Sequence, residues 1–455
     1  MTGAEMKSKL IQNNHPFIRI LGIILLVLLL QIPIFQIDGL VSERRYTRDN
    51  AIAEVTRKWG GTQVLQGPQI IVPFLEEVER KDNTSWKLEQ RRAYATFLPD
   101  NLNADVKIDS EIRHRGIYGI PLYRAQIDMS GHFDTEKMIQ AAGTRKLLWD
   151  QAQFVLVVSD PKSVSGESTL ILGDEPRTLE AGAGEGLAGR NGFHVPLSMK
   201  SDSVGGKFTY KLNFELGGSD GFYVAPVGRR SSIRMESDWV DPSFQGNWLP
   251  TQRVMNNEGF SASWEIPYLG RSYPQSWFKG NSEQQRKIDT SGVGVRLALP
   301  LDTYGKTERS IKYELIFIGL TFIGFWLFEI LSGVRIHPLQ YLLVGSTVCM
   351  FYLLLLSLAE HVGFLAAYFT AASMVVGLVT AYARNVLRKT GRALLVGSGM
   401  AALYLYLFAL LQEQEYSLLA GSIGLFVILG AVMLLTRKVN WYDSSRPDAS
   451  CAGDK

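Results

Sequence analysis

Five apolar stretches follow one another in the last third of the chain, and they limit its possible folds more than any other feature. They cover residues 314–334, 340–359, 362–382, 393–411 and 416–435. Each is close to the length of about 20 residues that an α-helix needs to cross ~30 Å of hydrocarbon. A soluble protein can bury one such helix, but five in succession with short polar breaks indicate a membrane protein.

A further apolar stretch at residues 17–37 is less uniform, because it contains an arginine, a proline and two glutamines. Lys7 and Lys9 precede it, so a cleaved signal peptide is the alternative to an anchor. No small residues that would suit a signal peptidase follow the stretch, and we therefore expect a retained anchor. The sequence thus predicts six transmembrane helices, with an exported domain at residues 38–313 between the first and the second.

The distribution of Lys and Arg predicts the orientation of these helices. Basic residues occur in the segments 1–16, 383–392 and 436–455, whereas two of the remaining loops contain glutamates and neither Lys nor Arg. Cytoplasmic loops are enriched in Lys and Arg. We therefore expect both termini in the cytoplasm and residues 38–313 on the exported side of the membrane.

Hydrophobic and polar residues alternate within residues 38–313, as in half-buried strands. A helix is predicted at residues 42–59, before Gly60 and Gly61, and an antiparallel β-rich domain after it. The predicted strands cover residues 70–74, 106–112, 123–129, 154–158, 169–172, 207–216, 261–268 and 293–299. The Gly-rich stretch 182–192 is the candidate seam if the domain has two parts. We therefore predict an α+β membrane protein with six transmembrane helices and a large β-rich exported domain inserted between helices 1 and 2.

The composition gives no support for several classes of function. A formal net charge of +3 provides no case for nucleic-acid binding, which requires a clustered basic face. Cys349 and Cys451 are the two cysteines, and both lie outside the exported domain, so no disulfide or cysteine metal site is expected there. The histidines show no spacing typical of metal ligands. We predict no cofactor, no metal and no catalytic residue, and a non-enzymatic protein is favoured over an enzyme.

One group of candidate functional residues lies in the aromatic segment, residues 237–250, where aromatic and acidic side chains are clustered. Such a combination could form a recognition surface for a sugar-like or peptide ligand. The alternative is a turn that buries its own aromatic rings. The candidates are Asp238, Trp239, Asp241, Phe244 and Trp248.

A second group consists of ionisable residues in or near the predicted spans. A charge at the bilayer centre costs about 2.5–3.5 kcal/mol. Glu329 lies within the second span, and its nearest candidate partners are Arg335 and His337. These residues could form a proton or ion path, or a binding site at the outer mouth. The alternative is pairing near the interface and solvation in loops. The candidates are Glu329, His337, Glu360, His361, Glu413 and Glu415.

Several runs of sequence resemble the CreD (Cet) family of bacterial inner-membrane proteins, from about residue 50 to residue 442. In the exported part they are Trp59 to Gln63, Gly67-Pro68, Arg115 to Tyr123 and Ser237 to Pro250. In the membrane part they are Ile336 to Gly345, Phe351 to Ser357 with Glu360-His361, Glu415 to Ser422 and Thr436 to Tyr442. Gln414 and Asn440 depart from the family pattern, which would have an acid at each position.

The resemblance implies an inner-membrane protein of a Gram-negative envelope, in which the exported domain at residues 38–313 would be periplasmic. It also implies a link to a two-component carbon-source and β-lactam response, to colicin tolerance and to envelope integrity. The family has no established catalytic residues, so none is transferred. We expect contacts with the lipid bilayer and with an unidentified periplasmic or inner-membrane partner, and the oligomeric state stays open. One alternative is a transporter that uses Glu329, Glu360 and His361. Another is a membrane enzyme acting on a lipid-linked or cell-wall substrate through acids such as Asp238, Asp241, Glu360 and Glu413.

Overall fold

A computed structural model divides the chain into two compact units. The β-rich unit comprises residues 48–300, and the helical unit comprises residues 1–47 and 301–455. The Gly-rich stretch 182–192 lies within the β-rich unit, which is a single compact body. The residues that the structure describes are 15–82, 85–199, 206–278, 282–297, 303–332, 336–387, 389–412 and 417–437.

The first helix, α1, runs for 45 residues without interruption, from His15–Trp59. The predicted anchor and the predicted helix at residues 42–59 are therefore one helix, and the expectation of two separate helices is wrong. Gly39 is the strongest break between them, and a single interior glycine costs only about 1 kcal/mol relative to alanine. Pro33 also lies inside the helix, where membrane-spanning helices tolerate it. The boundary between the two units falls within α1, after Thr47.

The β-rich unit contains two sheets. The first has the strand order β13-β17-β11-β1-β5-β9-β8, and β2 pairs with both β1 and β16. Its strands are β1 (Gln63–Asp82), β2 (Ser85–Phe97), β5 (Ala152–Val158), β8 (Glu180–Ala181), β9 (Gly192–Leu197), β11 (Gly221–Val224), β13 (Pro242–Gly246), β16 (Ser276–Phe278) and β17 (Val293–Leu297).

The second sheet has the strand order β14-β15-β12-β3-β4-β10-β6-β7. Its strands are β3 (Asn101–Arg115), β4 (Tyr118–Asp134), β6 (Val164–Leu172), β7 (Glu175–Arg177), β10 (Lys207–Ser219), β12 (Arg230–Ser237), β14 (Gln252–Asn256) and β15 (Gly259–Pro267). Two short helices complete the unit, α2 (Thr135–Ala142) and α3 (Ser282–Asp289). Each predicted strand falls on an observed strand, although residues 298 and 299 lie outside the described part of the chain.

The sheets are mixed, which corrects the prediction of an antiparallel domain. Strand β1 pairs with β11 in parallel, and β3 pairs with β12 in parallel, while the remaining pairs are antiparallel. Residue alternation identifies a strand and its buried face, but it does not identify the neighbour of that strand. Both parallel pairs join strands that are more than 100 residues apart in the chain, so no turn signal connects them.

The two sheets enclose one hydrophobic core, so the unit is a β-sandwich. Aromatic rings meet across it: Phe133 of β4 lies 6.4 Å from Phe154 of β5, and Phe193 of β9 lies 6.3 Å from Phe214 of β10. Tyr123 and Phe222 make a similar edge-to-face contact at 6.2 Å. The unit contains no cysteine, and its stability therefore comes from packing and hydrogen bonds.

The helical unit continues after residue 301 with six helices in its described part. They are α4 (Thr303–Lys312), α5 (Glu314–Ser332), α6 (Pro338–Val362), α7 (Phe364–Leu387), α8 (Thr390–Gln412) and α9 (Ser417–Thr436). By length and composition α1, α6, α7 and α8 can cross a membrane. Helices α4 and α5 are bent by 48° and make a fifth candidate if they form one broken span. The apolar part of α9, residues 419–434, is shorter.

Candidate functional site

The acidic residues of the aromatic segment make contacts within the fold. Asp238 Oδ1 accepts hydrogen bonds from the Ser110 backbone N–H at 2.9 Å and from the Ser110 hydroxyl at 2.6 Å. These bonds attach the chain after β12 to β3. The backbone carbonyl of Asp241 accepts a hydrogen bond from Trp239 Nε1 at 3.1 Å. The Asp241 side chain is exposed.

The aromatic residues of this segment pack inward. Trp239 is 8% exposed, and the Phe244 ring makes edge-to-face contacts with Phe260 at 5.5 Å and with Trp264 at 6.1 Å. The backbone carbonyl of Trp248 accepts a hydrogen bond from Trp264 Nε1 at 3.1 Å. These contacts stabilise the sandwich, and a recognition role for the segment stays a hypothesis.

Glu360 lies near the end of α6, in the helical unit. Its Oε1 accepts a hydrogen bond from the Tyr304 hydroxyl of α4 at 2.9 Å, and Arg44 Nε of α1 lies 3.8 Å away. The Glu360 side chain is 10% exposed, whereas the adjacent His361 is exposed. The structure therefore brings Glu360 together with a hydroxyl and a cation from two other helices.

Glu329 is 7% exposed within α5, and its Oε2 accepts a hydrogen bond from the Tyr341 hydroxyl of α6 at 3.1 Å. His337, one of the two candidate partners of Glu329, caps α6, because its Nδ1 accepts a hydrogen bond from the Leu339 backbone N–H at 3.2 Å. Proximity in the sequence made His337 a candidate, but the cap directs the imidazole to its own helix. Arg335, Glu413 and Glu415 lie outside the described residues.

A polar cleft of about 490 Å³ lies in the β-rich unit where α1 ends. We call it the Trp59 cleft. It was not predicted from the sequence. Its lining consists of Lys58 and Trp59 of α1, Arg124 of β4, residues 162–166 before and within β6, and Glu215 and Gly217 of β10. Concave sites of this size accommodate small molecules.

A fully buried glutamine fixes one wall of the Trp59 cleft. Gln63 Nε2 lies 3.0 Å from the Asp160 carbonyl, 3.0 Å from Ser163 Oγ and 2.9 Å from the Gly217 carbonyl. Its Oε1 accepts a hydrogen bond from the Asp160 backbone N–H at 3.1 Å. The Gln63 side chain thereby ties the 160–163 turn to β10. Because buried amides cost free energy when unpaired, this network holds the wall in one geometry.

Gly60 brings the end of α1 against the same wall. Its φ of +130° favours glycine, and a Cβ there would lie 2.8 Å from Ser163 Oγ and 3.0 Å from the Gly217 carbonyl. A larger residue would therefore require Ser163 or the end of α1 to shift. The sequence signal for this arrangement was present in Trp59-Gly60-Gly61, which predicted only the end of a helix.

Charged side chains near the end of α1 form two groups: an ion-paired group around Glu54, and guanidinium groups that lie over the Trp59 ring. Glu54 lies 2.9 Å from Lys58 Nζ and 2.9 Å from Arg115 Nη2. Its hydrogen bond with Lys58, aided by the charge of Arg115, lowers the Glu54 pKa. Two other guanidinium groups lie over the Trp59 ring, Arg113 at 4.3 Å and Arg124 at 5.6 Å from its centroid.

Two cations of the cleft, Arg124 and Lys162, lack an acidic partner in the part of the chain that the structure describes. Throughout the described ranges, no carboxylate oxygen lies within 4.0 Å of the Arg124 guanidinium or of the Lys162 ammonium group. The acid in the lining is Glu215, and its Oε1 accepts a hydrogen bond from the Ser165 hydroxyl at 2.7 Å. Sequence reasoning missed these residues because Trp59, Arg124 and Lys162 are far apart in the chain.

The apolar helices and the large β-rich unit define a membrane protein of α+β content. The family profile described as "Inner membrane protein CreD" matches residues 15–442. The chain is also 32% identical to the inner membrane protein CreD of Escherichia coli strain K12 over 426 residues, which covers 92% of each chain. The chain therefore belongs to the CreD family and is a multi-pass protein of the inner membrane, which confirms the resemblance.

Proposed function

We propose that this protein maintains the cell envelope through its β-rich unit, which acts as a non-enzymatic binding module. The proposal places residues 38–313 in the periplasm and both termini in the cytoplasm, with six spans in total. Supporting it are the Lys and Arg content of segments 1–16, 383–392 and 436–455 and the apolar character of α9. The family adds the expectation of a role in β-lactam and colicin tolerance and in the envelope stress response.

The Trp59 cleft is the observation that carries this proposal. Arg124 and Lys162 lie beside an aromatic ring in a concave site, and in the described residues neither cation has a carboxylate partner. The buried side chain of Gln63 holds the cleft wall in place before any ligand arrives. Preorganised, unpaired polar groups are what a binding site requires, because a ligand then provides their missing partners.

A transport function is the second candidate, and the buried carboxyl of Glu329 favours it. Ionisable residues inside membrane spans commonly lie on ion or proton paths. The Tyr341 hydroxyl accounts for one contact of this carboxyl, and the Tyr304 hydroxyl plays the corresponding role for Glu360. A path would need both carboxyls to change partners during each cycle.

Complementation of a deletion strain under β-lactam or detergent stress tests the proposal, with every variant checked for normal membrane levels. The cleft set is Arg124→Gln and Lys162→Gln. Its control is Arg253→Gln, which removes an exposed cation of β14. The comparison sets are Asp238→Ala, Trp239→Ala and Trp248→Ala in the aromatic segment, and Glu329→Gln, Glu360→Gln and His361→Ala in the helical unit.

We expect the cleft set to fail while the Arg253 control grows normally. Failure of the helical-unit set alone would make the membrane helices the working part and would reject the binding-module proposal. Topology is tested separately with alkaline phosphatase fusions, which are active only outside the cytoplasm. A fusion after residue 300 should be active, and one after residue 437 inactive.

A further inference from the structure

We propose that the Trp59 cleft binds a small ligand that carries a phosphate monoester. The inference rests on the proposed function, in that it names the ligand class of the same site. Its starting point is the charge in the cleft, which comes from Lys58, Arg124, Lys162 and Glu215. Lys58 is already paired with Glu54 at 2.9 Å.

The unpaired charge of the cleft matches a dianion. Arg124 and Lys162 contribute two positive charges that, within the described ranges, no carboxylate neutralises. A phosphate monoester carries about −1.5 to −2 charges near pH 7, because its second pKa is about 6. A single carboxylate would leave one of the two cations without a partner. The phosphate monoester therefore satisfies both.

Arg124 is the better placed of the two for recognition of oxygen atoms. A guanidinium group presents its donors in a planar fork that fits two phosphate oxygens, whereas an ammonium group acts as a point charge. The Trp59 ring lies 5.6 Å from the Arg124 guanidinium carbon, and a cation over an indole face is attracted to it. The ring thus limits the side-chain entropy that Arg124 loses when a ligand binds.

A bulge opens the cleft beside Lys162. The pairing of β6 with β10 shifts register between Asn213 and Glu215, and Gly166 in the bulged part of β6 has a φ of +75°. Added residues of this kind bend a strand and redirect its side chains, commonly next to functional sites. A Cβ at Gly166 would have no atom within 4 Å, so this side of the cleft is open.

The body of the ligand is polar and the size of a monosaccharide. A cavity of about 440 Å³ in the helical unit is lined by Leu320, Phe325, Leu403 and similar residues, as suits an acyl chain. The Trp59 cleft instead presents charged groups and hydroxyls. This difference favours a soluble phosphate ester over the headgroup of a lipid as the source of the phosphate.

Substitution of Glu215 should change phosphate affinity in the direction opposite to substitution of Arg124 or Lys162. Its carboxylate repels a dianion in the cleft, although it can accept a hydrogen bond from a hydroxyl group of the ligand. Neutralising it should therefore strengthen the binding of inorganic phosphate, which has no such hydroxyl-bearing body. Removal of a cation should weaken the same binding.

The test is calorimetric titration of the full-length protein in a neutral detergent at low salt. The probes are inorganic phosphate, glucose 6-phosphate, and dihexanoyl phosphatidic acid as the lipid source. We expect Arg124→Gln and Lys162→Gln each to weaken phosphate binding at least about tenfold, and Glu215→Gln to strengthen it about threefold. Arg253→Gln should change nothing, and all variants should unfold at the temperature of the unaltered protein.

The three probes distinguish a soluble phosphate ester from a lipid headgroup, and the variants distinguish failure of the ligand proposal from failure of the proposed function. Binding of both soluble probes supports a soluble phosphate ester, whereas binding of the short-chain lipid alone assigns the phosphate to a headgroup and overturns the soluble source. Phosphate binding that is absent, or that Arg124→Gln leaves intact, overturns the inference. If phosphate binding fails this test but the Arg124→Gln variant still does not complement the deletion strain, the binding-module function stands and its ligand is not a phosphate ester. If phosphate binds as expected but Arg124→Gln complements, the proposed function fails and the site remains.

Discussion

The aromatic segment, residues 237–250, and the Trp59 cleft are built from the same kinds of side chain, and they use them differently. In the segment, Trp239 is buried and its Nε1 is bonded to the Asp241 carbonyl, while Asp238 is bonded to Ser110. In the cleft, Arg124 and Lys162 are left without acidic partners among the described residues. The polar groups of the segment are therefore satisfied within the fold, whereas the two cations of the cleft remain available to the ligand that we propose.

This difference shows why a cluster of aromatic and charged residues in a sequence does not by itself locate a site. Polar groups that already have partners inside the fold gain little from a ligand. Polar groups that lack them exchange water for the ligand, with a net gain of about 0.5–1.5 kcal/mol for each hydrogen bond. If the two regions differ in this way, substitutions in the aromatic segment should lower the free energy of unfolding of the β-rich unit, and substitutions of the cleft cations should leave it nearly unchanged.

The largest effect should follow from Trp239→Ala. The side chain is 8% exposed, and replacing a buried tryptophan with alanine costs about 3–5 kcal/mol of unfolding free energy. Leu249→Ala is the control in the same segment, because Leu249 is 79% exposed and its loss should cost less than about 0.5 kcal/mol. Thermal unfolding of the purified protein, followed by tryptophan fluorescence, measures both. Equal midpoints would show that Trp239 does not support the fold and would revive its recognition role.

A smaller loss is expected for Asp238→Ala. The variant removes the acceptor of two hydrogen bonds from Ser110, which should lower the free energy of unfolding by about 1–2 kcal/mol. Asp241→Ala is the matched control, because the contact described for Asp241 uses its backbone carbonyl. Chemical denaturation of the two variants side by side gives the difference. If Asp241→Ala were the more damaging change, the structural role assigned to Asp238 would be wrong.

Asp134 should contribute stability that depends on pH. Its side chain caps α2, and the hydrogen bond with Lys137 is the main cause of its lowered pKa. A folded pKa below the unfolded value of about 3.9 means that this stability is present above about pH 4 and is lost as the pH falls through the folded pKa. Asp134→Ala should cost about 0.5–1 kcal/mol at pH 7 and less at pH 2.

Unfolding midpoints at the two pH values, with exposed Asp174→Ala as control, measure this effect. A loss of the same size at both pH values would show that the cap does not depend on the ionised carboxylate. Lys137 and Lys162 can be compared directly: Lys137 Nζ lies 2.8 Å from a carboxylate oxygen of Asp100 and of Asp134. Lys162 has no such neighbour among the described residues.

The smallest effect on stability should come from Lys162→Gln. Because no carboxylate of the described chain pairs with this exposed cation, its removal should change the free energy of unfolding by less than about 0.5 kcal/mol. Lys137→Gln, which breaks contacts with two acids, should cost more. The same thermal unfolding assay compares them. A marked loss in Lys162→Gln would mean that this lysine stabilises the fold and is not reserved for a ligand.

Local sequence patterns predicted much of the fold. Alternation in residues 207–216 identified β10 and its buried face, since Tyr210, Leu212 and Phe214 are buried in the sandwich core. The apolar stretches likewise marked the helices of the C-terminal part. The patterns did not predict that α1 continues from the anchor into the β-rich unit. A single glycine, Gly39, separates the two predicted helices, and one glycine is compatible both with a helix end and with a continuous helix. They also missed the parallel pairs of β3 with β12 and β1 with β11.

The sequence by itself determined the class of this protein, because membrane helices and half-buried strands each have a hydrophobic period that is visible along the chain. The tertiary structure alone decided which polar groups are paired. Asp238 is bonded to Ser110, 128 residues away, while Trp59, Arg124 and Lys162 meet in one cleft. Strand order and register create such contacts, and hydrophobic period does not encode them. For this reason the sequence did not bring the cleft residues together as candidates, and the cleft became visible only in the folded chain.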